Sequence, residues 1–427
     1  MRYDVVVVGG GASGAAAAAA AQSGAQVCLV ERHGFLGGAA VASSVLTYCG
    51  FFDRNHEQVV AGVGQQFLDG LDQNDLYVTH TSSDSGNKIV LLDPETTKRV
   101  FNALVADSGV TVFLHAQVVT GELDADQVTS ISFVHAGGLT QVSATAFVDC
   151  SGDGALLAGG RIPTSVAAVD ARQASTLVMR VGGVADDADL SRSSVMSAIA
   201  QYRTSQQVIL PRDRGSLIRL PVSGEILILI ADQHRDMLDV AEASLAEIEG
   251  RRLAMHYFCA MSASMRGWSG SFLSATGPQI GVRETRRLVG METLVERDVA
   301  TARKRPEQVV ARGGWPMENH VQLGRTRYGG IAGGGTTTFH KAPCTHRRLT
   351  TSGAAADWSA PTSRHSAPSS YGHRVRYRAC VWHRRRTLCG PRARGRCTTP
   401  RHPSTARSTA MSTLPASAVL RRGTRVW

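Results

Sequence analysis

Near its start the chain reads Val5-Val6-Val7-Val8-Gly9-Gly10-Gly11-Ala12-Ser13-Gly14. The stretch Ala15–Ala21 follows, then a second apolar run, Val27-Cys28-Leu29-Val30, then Glu31, and finally Gly37-Gly38. This order predicts strand, tight turn, helix, strand, acid, which is the order a dinucleotide's pyrophosphate requires. Gly9 permits the turn and Gly11 lets backbone approach the phosphates. Gly14 lets the helix pack close to the strand. Ala12 and Ser13 lie between them, where free N–H groups and the positive helix dipole face an anion. Glu31 lies 17 residues beyond Gly14 and is placed to accept hydrogen bonds from ribose hydroxyls. A 2′-phosphorylated ribose would meet a like charge there. The competing reading is a glycine-rich turn in some other βαβ unit.

Working outward, 427 residues allow two or three domains, and 43% hydrophobic residues suit a packed core. No apolar stretch reaches membrane-spanning length, and the first run lacks the basic flank and cleavage site of a signal peptide. The eight cysteines contain no CxxC pair and suggest neither a disulfide framework nor a cluster run. A cytoplasmic location is the default expectation, with no metal site.

The net charge of +11 is unevenly spread. Residues 341–427 hold 17 arginines and one lysine against a single acid, Asp357, so this segment carries +17 and the rest −6. The same segment has no Ile or Phe, and only four Leu and four Val. Apolar periodicity stops near residue 337, and the composition predicts a disordered tail over 337–427. Three origins compete: a nucleic-acid-binding arm using the cluster Arg374–Arg396 with Tyr371, Tyr377 and Trp382 interleaved, a solvated linker, or out-of-frame translation of a GC-rich gene. The third is favoured, and nucleic acid is not the expected partner.

Along the body, residues 56–73 carry Val59, Val60, Val63, Phe67 and Leu71 at helical spacing. Asp93-Pro94-Glu95 signals a helix over 94–107. A strand is expected at Val110–Leu114. A three-run meander should fill 116–145, with turns near Asp124 and Gly137-Gly138. Ala146–Asp149 reads as a buried strand running into Cys150-Ser151-Gly152-Asp153-Gly154, a second strand-to-glycine turn. Ser175–Val184 is strand-like, and Leu217–Leu220 with Ile226–Ala231 predicts a hairpin around Ser223-Gly224. A long helix is expected over 237–265, with Leu238, Ala241, Leu245, Ile248, Leu253 and Phe258 as its buried stripe. The run Ile280-Gly281-Val282-Arg283-Glu284-Thr285-Arg286-Arg287 and the later Ala311-Arg312-Gly313-Gly314-Trp315-Pro316 complete the body.

These residues together resemble the FAD-dependent oxidoreductase family, whose fold is similar to glutathione reductase, with distant similarity to heterodisulfide reductase A subunits. The resemblance covers about residues 1–336. It implies an α/β protein with four parts: a Rossmann-like FAD-binding domain beginning at 1–159, an inserted mixed α/β cap (substrate) domain at 160–276, a return segment at 277–336, and the tail. It also implies FAD as cofactor. Gly9, Gly11 and Gly14 would hold the pyrophosphate and Glu31 the adenosine ribose, with Arg32 beside it. Gly37 and Gly38 would approach the phosphate or flavin side. Gly152 and Asp153 lie in the turn that resembles Ala-Thr-Gly-Asp. The family ends in a Gly-Arg strand and a glycine- and alanine-rich helix that reach the flavin. Nothing in 337–427 matches, so low FAD occupancy is expected.

The expected chemistry is hydride transfer between FAD and a small organic substrate. Arg283 and Arg287 share a face if 280–289 is helical, and they could hold a carboxylate or the FAD phosphates. Equally, they could form a network with Glu284 or Glu292. Cys49 could lie near the flavin, though burial is its commoner fate. His320 could be an acid or base, with a solvent-facing loop position the commoner alternative. His33 is expected in a loop beside the ribose, and His115 and His256 as structural. The rival readings are an NAD-dependent Rossmann dehydrogenase, a nucleic-acid-binding protein acting through its tail, and a non-catalytic remnant.

Overall fold

The second half of strand β1 (Arg2–Val8), Val5–Val8, is apolar without alternation because it is hydrogen-bonded on both edges within a sheet covered on both faces. On one edge it runs parallel to β2 (Val27–Val30), with Val5 opposite Val27 and Val8 opposite Val30. On the other it runs parallel to the end of the strand Gly138–Asp149, with Val8 opposite Asp149. The crossover from β1 to β2 is a short 3₁₀ turn, Ala12–Ala15, continuing into α1 (Ala16–Gln22). The computed structural model describes residues 1–340, apart from 83–84, 125–126, 292–293, 304–308 and 335.

The central sheet has six strands, ordered Thr111–Phe113, β2, β1, Gly138–Asp149, Gln127–His135, Gln117–Asp124. The first four are parallel, and the last two join Gly138–Asp149 in an antiparallel meander. The expected meander therefore forms, with its turn at Ala136–Gly137, while 125–126 beside Asp124 lie outside the described residues. So does the helix Pro94–Asp107, capped by Asp93, whose carboxylate accepts the Thr96 N–H at 2.8 Å. The helix expected over 56–73 begins only at Val63, after Gly62 with φ +67°.

A second, wholly antiparallel sheet is ordered Ser216–Arg219, Ile226–Gln233, Ser175–Gly182, Phe272–Thr276. One face, with Leu177, Met179, Ile226, Ile228 and Ile230, packs under the helices Arg192–Gln206 and Val240–Ser264. The other face sends Val178, Leu220 and Leu227 into the core that surrounds α1 and the helix Pro94–Asp107. Residues of the second sheet and of the first thus belong to one core.

Three sequence expectations are corrected. The helix Val240–Ser264 does not bury the predicted stripe: Leu245 and Ile248 are 42% and 65% exposed. It buries Ala246, Gly250, Ala254, Tyr257 and Met261 instead. The sheet face beneath already carries the bulk, and small residues let the helix settle close; a Cβ on Gly250 would stand 3.4 Å from Leu177 Cβ. Residues 280–289 are not helical. Arg286–Leu288 is a strand antiparallel to Thr164–Val166, so Arg283 and Arg287 share no helix face. Finally, the tail does not begin at 337, since Thr337–His340 is a strand paired with Val309–Gly313. The readings of the segment from 341 onward, and Glu292, lie outside the described residues.

Candidate cofactor site

At the C-terminal ends of β1 and β2 lies a cavity of about 280 Å³. The sequence predicts its floor. Gly11, Ala12 and Ser13 line it at the strand-to-helix junction, and Gly37 and Gly38 line it from the loop after β2. Gly38 has φ +52°, and a Cβ there would lie 2.5 Å from Gly11 Cα, so two bare backbone segments pass in contact. Gly9 and Gly14 shape the turn from behind. Gly9 has φ +101°, with its would-be Cβ 2.4 Å from Cys150 O; the would-be Cβ of Gly14 lies 2.5 Å from Gly9 O. Both conditions exclude a side chain.

Glu31 lines the same cavity and is 5% exposed. Its Oε2 accepts the Gly10 N–H at 2.5 Å and its Oε1 the His33 N–H at 2.8 Å. The acid therefore clamps the glycine loop to the end of β2 while facing the cavity. Gly10, missed by the motif argument, is the donor in this clamp. Arg32 Nη1 donates to Asp153 Oδ2 at 2.9 Å, bridging the end of β2 to the turn after Asp149. Asp153 Oδ1 is buried and has no partner among the described residues. His33 stacks on Phe35 with ring centroids 5.1 Å apart, and burial lowers its pKa.

The second glycine turn is held by Asp149. This buried carboxylate accepts the Ser151 N–H at 2.9 Å, the Ser151 hydroxyl at 2.6 Å and the Leu157 N–H at 3.1 Å. Burial still raises its pKa, outweighing those bonds. Gly152, with φ +87°, and Asp153 then reach the cavity wall. The far wall comes from residues 279–285, through Gln279, Ile280, Val282 and Thr285. Sequence spacing did not assign these four to the wall. The signal was present for three of them, however, because Ile280, Val282 and Thr285 lie inside the run that carries the family resemblance.

The other candidates lie elsewhere. Arg287 is ion-paired with buried Glu284. Arg283 donates to Ala174 O at 2.6 Å and to Thr176 Oγ1 at 2.5 Å. His320 is buried, 8% exposed, which corrects the expectation of a solvent-facing loop. Its Nε2 meets Glu318 Oε1 at 2.8 Å and its Nδ1 meets Thr326 Oγ1 at 3.3 Å. Burial, then the Arg283 charge, lowers the His320 pKa against the pull of Glu318, so the ring is neutral at pH 7. A carboxylate only accepts, so Nε2 carries the proton and Nδ1 accepts from Thr326. The Thr326 hydroxyl in turn accepts from Arg212 Nη2 at 3.0 Å. Cys49 packs against the small cluster of Ile89, Leu91 and Trp315, and burial raises its thiol pKa. That is the opposite of what a thiolate nucleophile needs. Among the described residues no group of His, Cys, Asp or Glu could hold a metal ion, and no helix is long and apolar enough to cross a membrane.

The family model for FAD dependent oxidoreductases matches residues 4–342, about four-fifths of the chain. The chain belongs to the FAD-dependent oxidoreductase family. It is therefore an oxidoreductase with FAD as cofactor. No curated protein matches it. Solved structures similar to this family member include a geranylgeranyl bacteriochlorophyll reductase-like protein from Thermoplasma acidophilum, with 16% identity, a TM-score of 0.41, and coverage of 67% of this chain and 66% of that one. A p-nitrophenol 4-monooxygenase from Pseudomonas putida is 14% identical, with a TM-score of 0.41 and coverage of 68% and 70%. An anhydrotetracycline hydroxylase from Streptomyces rimosus is 14% identical, with a TM-score of 0.41 and coverage of 68% of this chain but only 54% of that one. Likenesses this remote say nothing of substrate.

Proposed function

We propose that this FAD-dependent oxidoreductase holds FAD in the cavity at the ends of β1 and β2, and that a hydride passes between the flavin and a small organic molecule. The observation that carries the reading is the floor made of bare backbone, where Gly11 and Gly38 touch at a strand-to-helix junction beside a buried carboxylate. A diphosphate needs close approach to N–H groups and tolerates no intervening side chain. The unpartnered Asp153 Oδ1 on the wall fits a ligand that brings a hydrogen-bond donor, as an adenosine does.

In this reading Gly11, Ala12, Ser13, Gly37 and Gly38 receive the pyrophosphate, while Glu31, Arg32, Gly152 and Asp153 surround the adenosine end. Residues 1–159 with the return segment form the cofactor domain, and 160–276 form the cap. The flavin supplies the redox chemistry once bound. The chain binds and orients it, and the cap sheet that packs on the cofactor core excludes water. The Glu31 clamp on Gly10 and His33 keeps the loop in its binding shape before the cofactor arrives. A clamp already formed lowers the ordering cost of binding.

The test is titration of the purified full-length chain with FAD, NAD and FMN, followed by flavin fluorescence and absorption. The reading expects FAD to bind at least tenfold more tightly than FMN, which lacks the adenosine half. Equal affinity for FMN, or binding of NAD alone, would overturn it.

A further inference from the structure

The far wall of the cavity has no regular structure of its own, yet it is pinned at several residues. Gln279 N–H donates to Ala42 O at 3.0 Å, and Ile280 N–H donates to Glu247 Oε1 at 2.8 Å. Gly281 and Thr176 exchange both backbone bonds, at 2.8 and 3.0 Å. Two residues later the Arg283 guanidinium donates to Ala174 O and Thr176 Oγ1 on the cap side. Thr176 passes the bond on, its hydroxyl donating to Asp232 Oδ1 at 2.5 Å, while Arg212 Nη1 holds Asp232 Oδ2 at 2.5 Å. Asp232 is 2% exposed, and the Glu318 side chain is 21% exposed. Arg283 acts electrostatically on both carboxylates and on His320. With a neutral imidazole, two guanidinium groups balance the buried Asp232 and the half-buried Glu318.

We propose that Arg283 is a positioning residue of the cofactor site: it fixes the wall at 279–285 by fastening it to the cap strand Ser175–Gly182. It does so through Thr176 and the buried ion cluster, and it acts on the ligand only through that wall. The proposal rests on the cavity being the FAD site. Removing Arg283 leaves the buried Asp232 and the half-buried Glu318 facing one guanidinium, and it frees the wall on its cap side. Lysine keeps the charge but replaces the planar fork with a point donor, so it restores the balance and only part of the fastening.

Hydrogen–deuterium exchange of the full-length apo chain tests this without the cofactor. In Arg283→Met, the amides of residues 279–281 should exchange about tenfold faster, while those of β1 and β2 stay unchanged; Arg283→Lys should fall between. FAD Kd should rise about tenfold in Arg283→Met, and the visible circular dichroism of the bound flavin should change at saturation. A folded Arg283→Met with wild-type exchange at 279–281 overturns the proposal. So does exchange that quickens equally along the whole chain, or a quickened wall with wild-type FAD affinity and flavin spectrum. If Arg283→Met does not fold, Thr176→Val decides in its place, since it removes only the bridging hydroxyl. An unchanged wall in that variant is equally fatal. Should the wild-type chain bind no FAD, the reading of the cavity fails, while exchange at the wall still decides what Arg283 holds.

Discussion

Gly11 and Gly14 belong to one motif, and the structure separates what each is for. Gly11 has φ −74° and ψ −165°, a conformation any residue adopts, and an added Cβ would sit 3.4 Å from Gly38 Cα, an ordinary contact. Gly11→Ala should therefore leave the apo protein as stable as before, or slightly more stable through reduced unfolded-chain entropy, by about 0.4–1 kcal/mol. The new methyl protrudes where the proposed site would receive the ligand's phosphates. Overpacking of about 1–3 kcal/mol there weakens FAD binding roughly fivefold to more than a hundredfold. Gly14→Ala works the other way. Its methyl would lie 2.5 Å from Gly9 O, which is backbone and cannot swing aside, so α1 must move off β1. The same about 1–3 kcal/mol now falls on folding, and the apo Tm drops by several degrees. Differential scanning fluorimetry of both apo variants, with FAD titration of each, reads the two effects apart. Wild-type FAD affinity in Gly11→Ala would refute the claim that the ligand approaches bare backbone there. A Gly14→Ala chain melting with the wild type would refute the packing argument.

Further outcomes follow from the same geometry. Glu31→Gln leaves only one acceptor oxygen for two backbone donors, with an NH₂ facing the other, so FAD Kd should rise about tenfold, read by titration. Acid should weaken the fold in a defined window. Glu318 has its pKa lowered from 4.5 to about 2 by the neighbouring His320 and Trp315, which outweigh its burial, so its contribution is full above 4.5 and fades as pH falls toward 2. His320 is held below 6.5, so the unfolded state takes up a proton first as pH drops below that value, and stability falls in the same direction. Asp149 opposes the trend, because its raised pKa makes it more stabilising as pH falls. Thermal melts should nonetheless show Tm declining from pH 7 to pH 4; a flat profile would refute the buried cluster. Cys28, its pKa pushed up to about 12 by burial, and Cys49, raised likewise, should resist iodoacetamide at pH 8 in the native chain, and peptide mapping showing rapid labelling of either would contradict their enclosure.

Much of the cofactor half was legible because its signals are local. The apolar run into Gly9, the alanine helix, Glu31 after β2 and the Asp93 cap each act within a few residues of themselves, and backbone sterics make such signals context-free. The helix Val240–Ser264 was legible as a helix but not in its orientation. Its own periodicity favoured Leu245 and Ile248, while the bulk on the opposing sheet selected the small residues Ala246, Gly250 and Ala254.

The sequence alone determined the glycine-lined strand-to-helix junction and carried the resemblance to the family, because glycine conformations and helix starts are written in consecutive residues. Only the tertiary structure decided the fate of Arg283, Arg287, His320 and Cys49. Arg283 and Cys49 meet Thr176 with Ala174 and the cluster around Trp315 on distant elements, while Arg287 meets Glu284 and His320 meets Glu318 and Thr326 within their own segments, in conformations set by the fold. A buried charge settles wherever a counter-charge and a hydrogen bond await it, and that place is fixed by how the chain folds back on itself.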